Sequence, residues 1–178
     1  MKKIIDIAPL VVFVLLVLAL FSFLQRDNNQ LNSVLIDKNF PEFTLTKLED
    51  KDIVLSKSDI SHFPAIVNVW ATWCPSCIAE HGELTRIFET TGLRIIGVNY
   101  NDDSEAARAW LKRWGDPYAF HIVDESGTLA IDLGVYGAPE TFVVDAGGVI
   151  RYRHVGVVTQ KVFEETLTPL IQNLKDAS

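Results

Sequence analysis

Two cysteines, Cys74 and Cys77, are the residues of this 178-residue chain whose types and spacing indicate a specific chemistry, and the chain has no others. A C-x-x-C pair can carry out thiol–disulfide exchange, in which one thiolate opens a partner's disulfide and the second thiol releases the partner. Pro75 follows Cys74 and suits the first position of a helix, where a missing N–H costs nothing. We therefore predict an exposed nucleophile at Cys74 and a buried resolving thiol at Cys77.

The elements that must position this pair can be read on either side of it. Residues 65–70 (AIVNVW) form a short, apolar, β-branched run that is typical of a strand buried on both faces. Residues 75–90 contain no proline after the first position and predict a helix. The unpaired N–H groups and the positive end of a helix stabilise a thiolate. A thiol with a pKa of about 8.5 is only about 3% ionised at pH 7, so this position would activate it.

Other readings of the pair are weaker, although one stays open. A haem attachment site would need a histidine after Cys77, and Ile78 stands there. A structural zinc site needs four ligands, and two cysteines supply half of them, so no metal is expected. An inert structural disulfide remains the alternative to redox exchange.

The remaining elements alternate between strands and helices. On the helix after the cysteines we expect Ile78, Leu84, Ile87 and Phe88 to face the core. Residues 104–114 predict an amphipathic helix with Ser104 as its N-cap and an apolar stripe that includes Trp110 and Trp114. Residues 159–174 predict a final helix, which Pro169 should kink. Strands are predicted at residues 40–48, 53–55, 65–70, 93–98, 122–124, 141–144 and 149–153, and a short helical piece at residues 128–133.

This order of elements is that of an α/β thioredoxin-like sandwich with an extra N-terminal β-hairpin and a central insertion. The predicted domain covers residues 40–178. It is preceded by a cytoplasmic N-terminus (residues 1–6), a transmembrane anchor (residues 7–24) and a polar tether (residues 25–39).

The anchor is predicted from 18 uncharged residues, IAPLVVFVLLVLALFSFL, which as a helix would span roughly 27 Å of a hydrocarbon core of about 30 Å. A cleaved signal peptide is the competing reading. It would have a shorter apolar region and small residues at its end, whereas Phe21, Phe23 and Leu24 are bulky. Lys2 and Lys3 favour a cytoplasmic amino terminus with the domain on the other side.

Composition excludes several classes of function. The net charge of −7 leaves no basic stripe for phosphates, so nucleic acid is not expected as a partner. With 48% hydrophobic residues the chain is not a disordered one, and with two cysteines it is not a disulfide-rich scaffold.

Four runs of sequence together resemble one family: VNVWATWCPSC, GVNYNDD, GVYGAPETF and RYRHVG. They are similar to the membrane-anchored, thioredoxin-like thiol–disulfide oxidoreductases of cytochrome c maturation (the CcmG/DsbE type), and the similarity covers nearly the whole chain. The resemblance implies a single-pass protein of the bacterial inner membrane with its domain in the periplasm. Its electrons would come from a transmembrane thiol reductase of the DsbD/CcdA type. They would pass to the cysteines of apocytochrome c, or to a mixed disulfide of another maturation protein, and no cofactor beyond the Cys74–Cys77 pair is expected.

The resemblance also assigns importance to two carboxylates, Glu80 and Glu140. Thioredoxins usually have a buried aspartate six residues before the first cysteine, whereas this chain has Asn68, for which we expect hydrogen bonding within a buried strand. Our hypothesis is that Glu80 and Glu140 raise the thiol pKa values and relay the proton of Cys77. By spacing alone, a solvated helix face is the more usual place for Glu80.

A second half of the site is implied by Ala138 and Pro139. In thioredoxin-like folds a cis-proline faces the dithiol, and the residue before it pairs with an extended substrate through main-chain bonds. Trp73, Pro75 and Tyr136 are predicted to contribute to the same groove. From sequence alone, a trans proline in a turn would be the ordinary expectation.

Two rival functions remain open. One is a general TlpA-like or oxidase-type exchanger. The other is a non-catalytic module that binds apocytochrome chains and whose disulfide is structural.

Overall fold

The computed structural model describes residues 12–22, 34–61 and 64–176. The chain divides into two units, Met1–Leu31 and Asn32–Ser178, which are considered separately. In the first unit residues 12–22 are helical and their side chains are exposed. Within the described ranges no helix combines the length and apolar character needed to cross a bilayer. The ends of the predicted anchor (residues 7–11 and 23–24), the predicted cytoplasmic residues 1–6 and residues 25–33 of the tether lie outside those ranges.

The second unit alternates strands and helices as the sequence predicts. Its strands are β1 (Thr44–Thr46), β2 (Val54–Ser56), β3 (Ala65–Trp70), β4 (Ile95–Tyr100), β5 (Phe120–Asp124), β6 (Glu140–Val144) and β7 (Ile150–Val155). Its helices are α1 (Pro75–Thr91), α2 (Ser104–Trp114), α3 (Thr128–Asp132), α4 (Gln160–Val162) and α5 (Thr168–Asp176), with a 3₁₀ turn at Lys57–Asp59 and a π-helical turn at Phe163–Leu167.

Five strands form the main sheet in the order β5-β4-β3-β6-β7. The strand β3 lies at its centre, parallel to β4 and antiparallel to β6. All six residues of β3 are buried, as its uninterrupted apolar run predicts. Because helices α1 and α2 connect parallel strands, the residues that follow β3 and β4 meet at the same edge of the sheet.

The two faces of the sheet carry separate apolar clusters. Ile66 and Trp70 of β3 pack on one face, and Val67 and Val69 pack on the other, because side chains alternate along a strand. The first face is covered by α1, α2 and the C-terminal helices. The second is covered by α3 and by the segment that contains β1 and β2.

The strands β1 and β2 form a separate antiparallel pair, with Leu45 opposite Leu55. This pair lies beside the edge strand β5, where Lys47 forms a bridge with Ile122 and the Leu48 N–H donates to the His121 carbonyl at 3.1 Å. Covering an edge strand in this way blocks its pairing with another chain.

The last residues of the predicted tether are held against the domain. The Asp37 N–H donates to the Ile150 carbonyl at 2.8 Å, and the Ile150 N–H donates to the Lys38 carbonyl at 2.9 Å. These main-chain bonds bring residues 37–39 to the edge strand β7, so the domain begins earlier than the predicted boundary at residue 40.

The buried face of α1 differs from the predicted one. Leu84 and Ile87 are buried, but Ile78 and Phe88 are each 41% exposed, and Glu80 and His81 lie inside instead. The helix is rotated so that Cys77 and Glu80, three residues apart, face the sheet together. Hydrogen bonds that these polar groups make inside the domain compensate for burying them.

Two details of the later helices also differ. Asp103, not Ser104, caps α2 by accepting the Ala106 N–H at 2.8 Å, and Trp114 at its end is 45% exposed. A π-helical turn at Phe163–Leu167 precedes Pro169, the residue at which the sequence predicts a kink. In that turn the Thr168 N–H donates to the Phe163 carbonyl, five residues back.

Candidate active site

The dithiol lies at the start of α1, shortly after the end of β3. Cys74 and Cys77 form a disulfide with their Cα atoms 5.4 Å apart. Cys74 is the N-cap of α1, Pro75 occupies its first turn, and the Cys77 N–H donates to the Cys74 Sγ at 3.1 Å. The predicted activation of Cys74 by a helix N-terminus therefore has its structural basis here.

The predicted exposure of Cys74 is wrong for this disulfide-bonded state. Both Cys74 and Cys77 are only 2% exposed, and both belong to the apolar cluster on the α1 face of the sheet, against which Ala138 packs. The neighbouring residues Trp73, Pro75 and Ser76 are exposed. Attack on the disulfide must therefore come along the surface that these neighbours form.

A loop between α3 and β6 faces the start of α1. The Ala138–Pro139 peptide bond is cis, as the resemblance implies. Beside it lies an open groove of about 330 Å³, lined by residues 136–140, residues 155–157 and Ser76. Ser76 stands between the two cysteines in the sequence, so the groove borders the segment that carries the dithiol, although neither cysteine lines it.

The structure brings together three of the five predicted groove residues, namely Tyr136, Ala138 and Pro139. Pro75 and Trp73 are exposed beside the groove but do not line it. The Trp73 side chain contacts the loop after β4, where its Nε1–H donates to the Asn101 carbonyl at 2.9 Å. Sequence reasoning missed Ser76 and residues 155–157, although Ser76 lies within the motif and residues 155–157 follow a predicted strand.

Glu80 is buried, with 1% of its surface exposed. Its Oε1 accepts from Asn68 Nδ2 at 2.9 Å, and its Oε2 accepts from the Val158 N–H at 2.9 Å. Asn68 also donates to Thr141 Oγ1 at 3.0 Å and accepts from the Tyr118 hydroxyl at 2.9 Å. The expected role of Asn68 in a buried strand network is confirmed, and Glu80 is part of the same network.

Glu140 is equally buried and forms an ion pair. Its Oε2 lies 2.7 Å from Arg153 Nη2, and its Oε1 accepts the Tyr136 N–H at 2.9 Å. Arg153 also donates to the Gly134 carbonyl at 2.7 Å and lies over the Tyr136 ring, 4.6 Å from its centroid. The pair therefore ties Gly134 and Tyr136, in the loop that leads to Pro139, to strands β7 and β6.

Comparison with known proteins assigns this arrangement to a family. Residues 36–168 match the Redoxin family. The thiol:disulfide interchange protein DsbE of Pseudomonas aeruginosa is 49% identical over 176 residues, which cover 99% of this chain and 97% of that protein. The DsbE protein of Escherichia coli K12 is 43% identical over 176 residues, which cover 96% and 95%.

The chain belongs to the Redoxin family, among the DsbE proteins.

Solved structures share the fold of this DsbE-family chain. A secreted thiol-disulfide isomerase from Corynebacterium glutamicum matches with a TM-score of 0.64 and 26% identity, over 75% of this chain and 85% of that one. A thiol:disulfide interchange protein from Chlorobium tepidum, described as a putative DsbE, matches with a TM-score of 0.59 and 22% identity, over 78% and 94%. The domain is thus a thioredoxin-like α/β fold, and the protein is a thiol–disulfide oxidoreductase.

Burial changes the titration of Glu80 in this DsbE-family site. Removal from water raises the pKa of its carboxyl from 4.5 to about 7, against the opposing effect of the hydrogen bonds from Val158 and Asn68. Burial and the charge of Glu80 also raise the pKa of Tyr118 well above its usual range. At neutral pH Glu80 can therefore both accept and release a proton.

This shift predicts a pH dependence of stability. Below about pH 4.5 Glu80 is protonated in both the folded and the unfolded chain, and its contribution to the free energy of unfolding is fully present. As pH rises towards 7 only the unfolded chain loses the proton, so stability falls, by on the order of 3 kcal/mol in total. In Glu80→Gln we expect this loss between about pH 4.5 and about pH 7 to disappear, as measured by urea unfolding at each pH.

Glu89 offers a matched control, because it is an exposed carboxylate on the same helix. Glu89→Gln should follow the wild-type profile. If Glu80→Gln loses as much stability as the wild type over this pH range, the raised pKa of Glu80 is refuted.

Sequence reasoning did not find Arg153 or Tyr118, which complete the two buried carboxylate networks. The strand pattern carries no signal for Arg153, because residues two positions apart in a strand share a face and Arg151 is exposed. Nothing in the sequence indicates that Tyr118 reaches Asn68, because they are 50 positions apart.

One group of possible metal ligands is found among the described residues, made of Glu49, Asp116 and His121. His121 Nε2 lies 3.1 Å from Asp116 Oδ1, and its Nδ1 accepts from Trp70 Nε1 at 3.3 Å. Both ring nitrogens thus have protein partners, and the group is explained as a hydrogen-bonded pair that joins β5 to the loop before it.

Proposed function

We propose that this protein is a periplasmic dithiol reductant of cytochrome c assembly, which reduces the cysteines of apocytochrome c, or a mixed disulfide, before haem attachment. The observation that carries the proposal is the Cys74–Cys77 pair at the start of α1, beside an open groove bordered by cis-Pro139. The DsbE relatives support thiol–disulfide exchange as the reaction.

The reaction transfers two electrons to the substrate. In the reduced protein the Cys74 thiolate attacks one sulfur of a substrate disulfide, which forms a mixed disulfide and releases the other sulfur as a thiolate. The Cys77 thiolate then attacks the Cys74 Sγ, which restores the Cys74–Cys77 disulfide and releases the second substrate sulfur. The two leaving thiolates take up the protons that the cysteines gave up.

Glu80 is placed to move the proton of Cys77. It lies one turn after Cys77 on the same buried face of α1, and its pKa of about 7 matches the pH at which the proton must be passed. A charged Glu80 also disfavours a nearby thiolate, which raises the thiol pKa.

Glu140 acts through the loop that it holds. Arg153 balances its charge, so this role differs from the direct effect on the thiol pKa values and the proton relay that the resemblance led us to expect. Its contacts with Tyr136 and Arg153 fix the loop that leads to Ala138 and Pro139. An extended substrate chain can pair there by main-chain bonds, with little demand on its sequence.

The location follows from the amino-terminal segment. We infer that residues 7–24 are an uncleaved anchor in the bacterial inner membrane, with the amino terminus in the cytoplasm and the domain in the periplasm. The Cys74–Cys77 disulfide is then reduced again by a transmembrane thiol reductase of the DsbD/CcdA type.

The anchor predicts that the protein stays in the pellet after alkaline washing of cell membranes. Release into the soluble fraction would contradict the anchor.

The experiment that tests the function is a cysteine trap. Full-length Cys77→Ser cannot resolve a mixed disulfide on Cys74, so partners stay attached and can be identified after acid quenching of cells. We expect apocytochrome c or a thiol protein of its maturation, together with the transmembrane reductase. The double variant that also carries Cys74→Ser is the matched control and should trap nothing.

Other outcomes separate the rivals. Trapping of many unrelated secreted proteins would support a general exchanger. Absence of any mixed disulfide, with apocytochrome still bound, would support a binding module with a structural disulfide.

A further inference from the structure

The turn that leads into the dithiol is held by a carboxylate from another part of the chain. Asp102 lies in the loop between β4 and α2, and both of its oxygens accept from Thr72. Its Oδ2 accepts the Thr72 N–H at 2.6 Å, and its Oδ1 accepts the Thr72 hydroxyl at 2.6 Å. Thr72 stands two positions before Cys74, so Asp102 contacts the turn that precedes the dithiol.

The same carboxylate is fixed on its own side. Its Oδ2 accepts from Asn99 Nδ2 at 2.9 Å, and its Oδ1 accepts the Asp103 N–H at 3.0 Å. Asn99 is fully buried and turns its amide N–H towards Asp102, although its Oδ1 then has no partner among the described residues. The contact with Asp102 thus decides the orientation of the Asn99 side chain.

A second tie connects the same two segments. Trp73, the residue between Thr72 and Cys74, donates its Nε1–H to the Asn101 carbonyl at 2.9 Å, and its ring meets Tyr100 edge-on with centroids 6.0 Å apart. Asn101 has a φ of +45°, a conformation that asparagine tolerates better than most residues. The segment 99–102 therefore accepts hydrogen bonds from both residues that precede Cys74, namely Thr72 and Trp73.

Among the described residues no cation forms an ion pair with Asp102, so its partners there are neutral donors. Carboxylates that accept several N–H and O–H groups form strong, directional bonds. Such an arrangement fixes a loop in position.

We propose that Asp102 is the positioning residue of the dithiol, which holds the turn of residues 71–74 so that Cys74 stays at the N-cap of α1. In that turn the Cys74 N–H reaches the Ala71 carbonyl at 3.3 Å, and the Cys74 Sγ accepts the Cys77 N–H at 3.1 Å. Once Thr72 is released, Cys74 can leave the helix terminus and Trp73 can leave Asn101. The proposal rests on the exchange reaction proposed above.

The test compares three variants of the full chain, purified in detergent and reduced. Asp102→Ala removes the whole contact, and Thr72→Val removes the hydroxyl bond alone. Asp103→Ala removes the adjacent carboxylate, which caps α2 through Ala106 and does not touch Thr72. Losing a helix cap lowers the stability of the fold, so Asp103→Ala controls for general destabilisation.

Two readouts are measured. The first is the rate at which each variant reduces a peptide cysteine linked to glutathione, and we expect Asp102→Ala to be roughly ten- to a hundredfold slower. Thr72→Val should be slowed to a smaller extent, and Asp103→Ala should stay within about twofold of wild type.

The second readout is the ¹⁹F resonance of Trp73 in protein made with 5-fluorotryptophan and assigned with Trp73→Phe. This resonance should move in Asp102→Ala and remain in place in Asp103→Ala.

The outcomes are distinguishable. If Asp102→Ala fails to fold, Thr72→Val decides, and a wild-type rate in that variant overturns the proposal. If Asp102→Ala and Asp103→Ala are slowed equally, with the Trp73 resonance unmoved, Asp102 has no special link to the dithiol. If the wild-type protein itself cannot reduce the peptide, the proposed function fails and the inference fails with it.

Discussion

Full-length protein carrying Cys74→Ser is expected to reduce protein disulfides slower than wild type by roughly a thousandfold or more. The physical reason is that a serine hydroxyl is not ionised at neutral pH, so the helix terminus has no thiolate to stabilise. The measurement is the rate at which the variant, reduced beforehand with dithiothreitol and freed of it, reduces a disulfide-linked peptide. Its folding is checked by circular dichroism.

Cys77→Ser is the matched control for this experiment. It keeps the nucleophile, so it should release one equivalent of the leaving thiol in a burst and then stop with a mixed disulfide on Cys74. A Cys74→Ser protein that still turns over disulfides at the wild-type rate would refute the assigned roles. Equal loss of the burst in both variants would show that Cys74 does not act first.

Arg153→Met is expected to lower the free energy of unfolding by about 3–5 kcal/mol. Arg153 and Glu140 have side chains only 3% and 1% exposed, so removal of the cation leaves a buried carboxylate without a counter-charge. The bond from Arg153 to the Gly134 carbonyl is lost as well. Urea unfolding at pH 7 measures the effect.

The double variant Glu140→Gln, Arg153→Met separates the ion pair from simple packing. Glutamine can still accept the Tyr136 N–H, and no unpaired charge remains. We expect the double variant to be more stable than Arg153→Met alone, a non-additivity that contacting residues show. If the two substitutions add, the ion pair is not what holds the Gly134–Pro139 loop.

Much of the fold could be predicted from the sequence because its signals are local. The buried strand at residues 65–70 and the helix from Pro75 are confirmed to within a residue, since an apolar β-branched run and a proline-led helix start depend on neighbouring positions only. The predicted hairpin at residues 141–153 is confirmed as β6 and β7 for the same reason.

The inward face of α1 could not be predicted in this way. Hydrophobic spacing favours Ile78 and Phe88, but both are 41% exposed, while Glu80 and His81 are buried. The buried Glu80 is hydrogen-bonded by Asn68 from β3 and by the Val158 N–H, which lies 78 positions further along the chain. A hydrogen-bond partner at that distance leaves no mark on local periodicity.

The amino-acid sequence by itself determined that this chain has a redox-capable C-x-x-C pair at the start of a helix, in a thioredoxin-like order of elements, because thiol spacing, a leading proline and strand composition are short-range properties. Only the tertiary structure decided which carboxylates surround that pair. Burial gives Glu80 a pKa of about 7, Arg153 balances the charge of Glu140, and Asp102 accepts a hydrogen bond from Thr72. Each of these outcomes depends on water being excluded, and on partners being supplied, by segments that meet only when the sheet is assembled.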